Sequence, residues 1–266
     1  MGSLVRLLSV VLVVLALSAV LASNRSLAQE QPEDGAEKAA ALIRATIAAR
    51  GGAKYLNVQT MVSRGQYTPF QKGKTAIPQR FVDYIVYPDK ERTEFGSGDT
   101  RRIQTNVGST GWEYNAESKL VRDQKEDEIK FYLQLTRYDI DAIIRHGWHD
   151  QDAKLVYIGR KEVWTETFAE AIRVDFSDGG YETIYFDRQT KLPLENEYKV
   201  ITEDGTKTEY VRYYQWLDYD GVKFAHIQDA YRDNTQIART YFESVKLNET
   251  VPEKLFTKPA SAKDVK

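Results

Sequence analysis

The chain has 266 residues, of which 42% are hydrophobic and 29% are charged, a composition typical of a globular protein. The formal net charge is −2 at pH 7, so there is no electrostatic reason to expect nucleic acid as a partner. The chain contains no cysteine, which excludes disulfides, thiol catalysis and attachment of a lipid to a cysteine.

The N-terminus has the pattern of an export signal. Arg6 precedes an apolar run over residues 7–22, and a Ser-Leu-Ala sequence ending at Ala28 has the small-x-small form that signal peptidase recognises. The run is short for a membrane-spanning helix. We therefore predict cleavage after Ala28, with cleavage after Ala22 or an uncleaved anchor as the alternatives.

The first predicted helix covers residues 34–50. Asp34 can cap its N-terminus, and Glu37 three residues later completes a capping-box pattern. The sequence Gly51-Gly52 offers the positive φ that ends a helix. The many alanines of this helix indicate that it packs closely onto a sheet.

A second, central helix is predicted over residues 123–145 and is expected to end before Gly147. Its apolar stripe consists of Ile129, Leu133, Ile140 and Ile144, widened by Tyr132, Leu135 and Ile143. Its first turns are strongly charged, and the acids near its start favour the helix dipole. We expect this helix to be the element that moves when the protein takes up a ligand.

The remaining chain is predicted to be mainly β. From residue 154 to residue 247, long strand-like segments are separated by Asp178-Gly179-Gly180, the turn 187–191, Asp204-Gly205, Asp220-Gly221 and Asp233-Asn234. Successive hairpins of this kind indicate an antiparallel meander. In residues 210–219, Tyr210, Arg212, Tyr214 and Trp216 are assigned to one face, and Val211, Tyr213, Leu217 and Tyr219 to the other.

Apolar and aromatic side chains thus occur on both faces of this strand, whereas a sheet with one solvated face should alternate cleanly. One explanation is a strongly curved sheet whose concave side is lined by aromatic side chains and partly covered by helices. The alternative is that both faces pack on protein.

The sequence lacks the GxSxG, HExxH, GxGxxG and P-loop patterns, and we expect neither a cofactor nor an enzymatic activity. His146, His149, Asp150 and Asp152 could in principle bind a metal, but a polar turn after the helix explains them better. Glu195 and Glu197 share one strand face, which is the arrangement of a glycosidase acid pair and also of a solvated face. We favour the solvated face, directed away from the cavity.

Several segments in this order resemble the LolA-like superfamily, the outer-membrane lipoprotein-sorting protein group. They are "AARGGAKYLNVQTMVSRG" after the first helix, "GSTGWEYN", "IYFDRQTKLPLENEYK", "YYQWLDYDGVKFAHI" and, near the end, "VPEKLF", which is predicted as one helical turn. The superfamily includes the lipoprotein carrier LolA, the lipid-binding domain of RseB and carriers of the LppX and LprG type.

The resemblance implies a mainly antiparallel, unclosed (half) β-barrel covered by a few α-helices, with a hydrophobic cavity for acyl chains. It also implies a periplasmic carrier or binder of lipoproteins or acylated lipids, with possible transport partners at the inner or outer membrane. The alternative is a sensor or interaction module that recognises a lipidated or apolar segment and signals to a protein partner. We expect a monomer.

The predicted organisation is a signal peptide over 1–28, one LolA-like domain over 29–256 and a flexible tail over 257–266. Candidate cavity-lining residues come from the family motifs, the central-helix stripe and the aromatic strand. They are Trp112, Tyr114, Leu133, Ile140, Phe186, Tyr198, Tyr214 and Trp216. For Trp112, an ordinary core position is the alternative.

Overall fold

The computed structural model describes residues 32–71, 74–202 and 204–265. The predicted signal peptide lies outside these residues. The chain forms two units, Met1–Gly35 and Ala36–Lys266, and the sheet belongs to the second unit.

The helices are α1 (Pro32–Arg50), α2 (Ala53–Leu56), α3 (Glu126–Arg137) and α4 (Ile140–Arg145). Short 3₁₀ helices cover Gly98–Thr100, Gly147–His149, Glu253–Leu255 and Ala262–Asp264. Within the described ranges, none of the helices combines the length and apolar character needed to cross a membrane.

The strands are β1 (Thr60–Gln71), β2 (Lys74–Thr75), β3 (Gln79–Val86), β4 (Lys90–Phe95), β5 (Arg102–Val107), β6 (Thr110–Asn115), β7 (Leu120–Asp123), β8 (Ala153–Trp164), β9 (Thr167–Phe176), β10 (Tyr181–Asp187), β11 (Pro193–Thr202), β12 (Gly205–Tyr219), β13 (Val222–Arg232) and β14 (Thr235–Leu247). The hairpin turns predicted between residues 176 and 235 all connect consecutive strands. The predicted antiparallel meander is therefore confirmed.

The strands pair in the order β7-β6-β5-β4-β3-β1-β14-β13-β12-β11-β10-β9-β8, and β2 pairs with β1. Pairing of β1 with β14 joins the first half of the meander to the second. The two edge strands, β7 and β8, do not pair with each other among the described residues, so the sheet is not closed. Because α3 and α4 connect β7 to β8 in the chain, they extend between the two edges.

The first helix is present, but it begins at Pro32, so Asp34 lies within it and the predicted N-cap is wrong. Its small and branched side chains pack against the sheet. Ala39 and Ile43 are fully buried in the main hydrophobic cluster. Gly51 follows the helix with φ of +125°, and a Cβ atom placed on it would lie 2.4 Å from the carbonyl oxygen of Gly221. Glycine is therefore needed at Gly51 both for its backbone conformation and for the close approach to the β12–β13 turn.

The prediction of one continuous central helix is wrong. Residues 120–123 belong to β7, and the helical segment is divided between Arg137 and Ile140. Asp139 causes the division, because its side chain accepts hydrogen bonds from the backbone N–H groups of Asp141 and Ala142 and so caps α4. Because α3 and α4 are separate helices, the side chains that face the sheet differ from those of one continuous helix.

The predicted faces of β12 are wrong beyond Gln215. This residue has φ of 54°, so the regular alternation of side chains is interrupted there. Trp216 consequently packs against the core cluster on the same side as Tyr213, whose ring lies 6.0 Å away, and not on the side of Tyr214.

The C-terminal segment lies across β4 and β6. The helical turn predicted near its start is confirmed as the 3₁₀ helix Glu253–Leu255. The indole N–H of Trp112 donates to the carbonyl oxygen of Phe256 over 2.9 Å, and Arg92 donates to that of Leu255 over 2.8 Å. In the predicted tail, Lys258 pairs with Asp123 at 2.7 Å. Flexibility of the tail stays a prediction.

Candidate ligand-binding cavity

A cavity of about 450 Å³ lies between the inner face of the sheet and the helices α3 and α4. The sheet contributes inward side chains from β1, β3, β4, β5, β13 and β14, and the helices contribute Tyr132, Leu135, Thr136, Asp141 and Ala142. The cavity is thus built from both halves of the meander, which meet where β1 pairs with β14.

Most of the cavity wall is apolar. The apolar and aromatic lining residues are Met61, Ile85, Tyr87, Pro88, Phe95, Tyr132, Leu135, Ala142, Phe224, Ala225, Phe242 and Val245. The volume lies within the range of about 300–1,000 Å³ that is usual for small-molecule sites. Such a wall can enclose an apolar group and offers few partners for water.

Carboxyl groups interrupt the apolar wall. Asp83 lies on β3, and its Oδ1 accepts a hydrogen bond of 2.9 Å from the Thr93 hydroxyl. Burial raises the pKa of Asp83 well above its usual value, and the charge of Glu91 raises it further. Burial likewise raises the pKa of Glu91, although a hydrogen bond from Tyr132 opposes the shift.

Asp139 adds a third carboxyl group where α3 and α4 meet. Its side chain is exposed to solvent and also lines the cavity. The protein packed around its carboxyl group, together with the charge of Asp141, raises its pKa to about 7.

A buried ion pair fixes α4 beside the cavity. Arg50, at the end of α1, is almost fully buried and donates a hydrogen bond to Oδ1 of Asp141. The Tyr55 hydroxyl accepts a bond of 2.9 Å from Arg50 and donates one of 2.7 Å to Asp141. Burial alone would lower the pKa of Arg50, but the charges of Asp141 and Tyr55 more than reverse this and raise it.

A second cavity of about 620 Å³ adjoins the first, because Phe95 and Gln104 line both. Its walls are more polar and come mainly from β5, β6 and the residues around β7. Arg122 in this wall is already paired with Glu113 and Glu128. An apolar cavity therefore adjoins a polar one.

Similar architectures occur among solved structures. A DUF1329 family protein from Desulfovibrio piger superposes with a TM-score of 0.57 at 11% identity, covering 82% of this chain and 97% of that one. A LolA superfamily protein from Nitrosomonas europaea gives 0.55 at 10% identity, covering 83% and 97%. A Vibrio parahaemolyticus domain, provisionally named an outer membrane lipoprotein-sorting protein, gives 0.53 at 12% identity, covering 84% and 97%.

The fold is LolA-like. The predicted fold class, a mainly antiparallel half-barrel with helices, is thereby confirmed. Searches with the sequence found no match to a family model and none to a curated protein. At such low identity, the likeness to the solved structures establishes the fold alone.

In this LolA-like framework, none of the eight candidate lining residues contributes to the wall of the 450 Å³ cavity. Tyr114 lines the second cavity. Ile140, Phe186 and Tyr198 are buried in the core, and Leu133 is 40% exposed on α3.

The remaining candidates have other neighbours. Trp112 is a buried residue held by the C-terminal segment, in agreement with its alternative assignment to the core. Trp216 donates to the carbonyl oxygen of Pro193 over 3.1 Å, and the ring of Tyr214 lies 6.2 Å from that of Trp164. Whether any of the eight residues contacts a ligand stays a prediction.

The paired acids of β11 also have a structural role. Glu195 is 7% exposed and accepts a bond of 2.7 Å from Arg212 on the neighbouring strand. Asn196 and Tyr198, which alternate with Glu195 and Glu197 along β11, are buried on the inner side of the sheet. The acids therefore point away from the cavity, as predicted, but Glu195 is buried in its ion pair with Arg212 and is not part of a solvated face. Among the described residues, no cluster of His, Asp or Glu is placed to hold a metal ion.

The apolar periodicity of the central segment contains a signal for the helical wall. The predicted stripe has Leu133 at its centre and Tyr132 and Leu135 at its border. Because the helix ends at Arg137, the stripe does not have to continue to Ile140, and the inward face of α3 is the one with Tyr132, Leu135 and Thr136.

Proposed function

We propose that this protein is a periplasmic, non-catalytic carrier or binder of lipoproteins or acylated lipids, acting as a monomer after export and removal of its signal peptide. The observation that carries the proposal is the mainly apolar cavity of about 450 Å³ between the concave sheet and α3–α4 of a LolA-like fold. The resemblance in the sequence motifs points to the same class of ligand.

The physical requirement is to remove an acyl chain from water. Each methylene group that leaves water contributes about 0.8 kcal/mol, so a long chain needs an enclosed apolar site. The lining side chains Ile85, Leu135 and Phe242 offer such a surface from three different elements. Since α3 forms one side of the cavity and α4 is held by the buried Arg50–Asp141 pair, displacement of α3 would open the cavity.

A carrier also has to release its ligand, which requires that the helical side is not fixed too firmly. The contacts of α3 with the sheet include a hydrogen bond of 3.0 Å from the backbone N–H of Ile201 to Gln134 and a surface ion pair between Arg137 and Asp178. Exposed ion pairs contribute little, on the order of 0–1 kcal/mol. Exchange would break these polar contacts, the hydrogen bond from Tyr132 to Glu91 and the packing of Leu135 on the core cluster.

The test is to fill the cavity. Leu135→Trp places a large side chain in the cavity, whereas Leu217→Trp, on β12, makes the same change at an exposed position outside the cavity wall. Binding of N-phenyl-1-naphthylamine, an uncharged fluorescent probe, is measured with each purified variant, and circular dichroism verifies folding. We expect at least about a tenfold loss of affinity for Leu135→Trp and none for Leu217→Trp.

Equal binding by the two variants would contradict the proposed site. Native mass spectrometry of the wild-type protein, purified from a periplasmic extract, provides a second measurement and should reveal a bound lipid. A pull-down from an envelope extract distinguishes the cargo: several lipoproteins support a carrier, and a single dominant soluble partner supports the sensor.

A further inference from the structure

Two of the carboxyl groups on the cavity wall, those of Asp83 and Glu91, form a pair. Asp83 lies opposite Thr93 in the β3–β4 register, and Glu91 lies opposite Ile85. Asp83 and Glu91 are therefore diagonal neighbours on one face of the sheet, where Cβ atoms are typically about 7–8 Å apart or somewhat less. Both side chains line the same cavity.

The described residues supply no cation to this pair. The hydrogen bonds to the two carboxyl groups come from the hydroxyls of Thr93 and Tyr132 and from the backbone N–H of Tyr84. Lys90 is the basic residue in the cavity wall, and it pairs with Glu253 at 2.6 Å.

The fold thus holds two carboxyl groups in a protein-enclosed, mainly apolar space without a counter-charge, which favours their protonated form in the empty cavity. An opposite charge within about 4–6 Å would favour the ionised carboxylates, and in a low-dielectric site this attraction is stronger than in water. A negatively charged group would instead favour the protonated carboxyl groups and gain no ionic attraction from them. No group of three or more His, Asp or Glu side chains among the described residues is placed to hold a metal ion, and the apolar wall around the two acids fits an organic cation.

We infer that the cavity selects acylated ligands whose polar end carries an ammonium group, which lies against Asp83 and Glu91, over ligands that end in an anion. This inference rests on the proposed function and specifies its ligand. Apolar groups pack between Leu135 on α3 and Phe242 on β14, and the ammonium group replaces the hydroxyl donors or shares the carboxylates with them.

The test compares amphiphiles with the same chain and different heads. Dodecylamine, dodecan-1-ol and dodecanoate are each used to displace N-phenyl-1-naphthylamine from the full-length wild-type protein at pH 7.5, below their micellar concentrations. We expect dodecylamine to displace the probe at a concentration at least about tenfold lower than dodecanoate, with the alcohol between them. Equal or tighter binding of dodecanoate would overturn the inference while leaving the proposed function intact.

If the probe does not bind and none of the three amphiphiles binds, the proposed function fails, and the inference fails with it. The wild-type comparison needs no variant, so it remains decisive if a substitution prevents folding.

The double substitution Asp83→Asn/Glu91→Gln should remove the preference for the amine and leave the affinity for the alcohol unchanged. The control, Asp99→Asn/Glu117→Gln, makes the same change in net charge at exposed positions outside the cavity wall. A preference that survives the first double substitution, or is lost in the control, contradicts the assignment to Asp83 and Glu91.

Discussion

Asp141→Asn tests how α4 is held beside the cavity. The substitution preserves the shape of the side chain but removes the negative charge that faces Arg50. The Arg50 side chain is 1% exposed and that of Asp141 is 13% exposed, so the guanidinium cannot turn to water for compensation. It would retain its bonds to Tyr55 and to the carbonyl oxygen of Lys223, at 2.9 Å and 3.2 Å.

The expected magnitude follows from the environment of the charge. Removing one partner of a buried ion pair typically costs about 3–5 kcal/mol, and we expect about 3 kcal/mol because the Asn oxygen can still accept a hydrogen bond. For a domain of this size, about 1 kcal/mol corresponds to roughly 2–4 °C in Tm, so Tm should fall by about 6–12 °C. Cation–π contacts of Arg50 with Trp216 and Phe224, both at 5.1 Å, limit the loss.

The assay is thermal and urea unfolding at pH 7, followed by circular dichroism, in a double-mutant cycle with Arg50→Met. The double variant should lose less stability than the sum of the two single variants, because it contains no unpaired buried charge. Glu126→Gln, in the exposed pair with Lys130, is the control and should leave Tm unchanged. A Tm of Asp141→Asn within about 2 °C of the wild type, or strictly additive losses, would refute the reasoning.

Two further predictions concern the backbone and pH. In urea unfolding, Gly51→Ala should destabilise the fold by about 1–3 kcal/mol more than Gly179→Ala. Both glycines have positive φ, but only at Gly51 would a Cβ atom lie against a backbone carbonyl. Equal losses of stability in the two variants would contradict this. Burial raises the pKa of Glu182, so the folded state retains a proton that the unfolded state releases above about pH 4.5, and stability should fall as pH rises. Glu182→Gln should reduce this fall between pH 5 and pH 8, and an unchanged slope would argue against a protonated Glu182.

The features that were predictable from the sequence are those determined by neighbouring residues. The Asp-Gly and Asp-Asn turns specify φ > 0 within a few residues, so the hairpins of β9 to β14 followed directly from them. Gly51-Gly52 ended α1 for the same reason. The half-barrel itself was predicted from the resemblance of motifs, since the β1–β14 pairing that joins the two halves connects residues far apart in the chain.

The errors arose where a local rule was interrupted by one residue. The apolar stripe over residues 123–145 continued with helical spacing past Asp139, although Asp is a favoured N-cap and thus a signal for a new helix. In β12 the alternation was extended through Gln215, whose left-handed conformation nothing in the sequence indicates. The first error joined Ile140 to the stripe of α3, and the second grouped Trp216 with Tyr214 although it packs beside Tyr213.

The acids of the cavity show how far periodicity can identify a site. On β3, Phe81, Asp83 and Ile85 share one face, so Asp83 is an acid in an otherwise apolar row and could have been noticed. On β4, however, Glu91 and Glu94 both occur in the sequence "KERTEF", and only the register with β3 assigns Glu91 to the face of Asp83. A lone acid in an apolar row is commonly a solvated edge position. It becomes evidence for a ligand's charge only when a second acid, an apolar cavity and the lack of a nearby cation are found together, and that combination depends on the three-dimensional pairing of strands and helices.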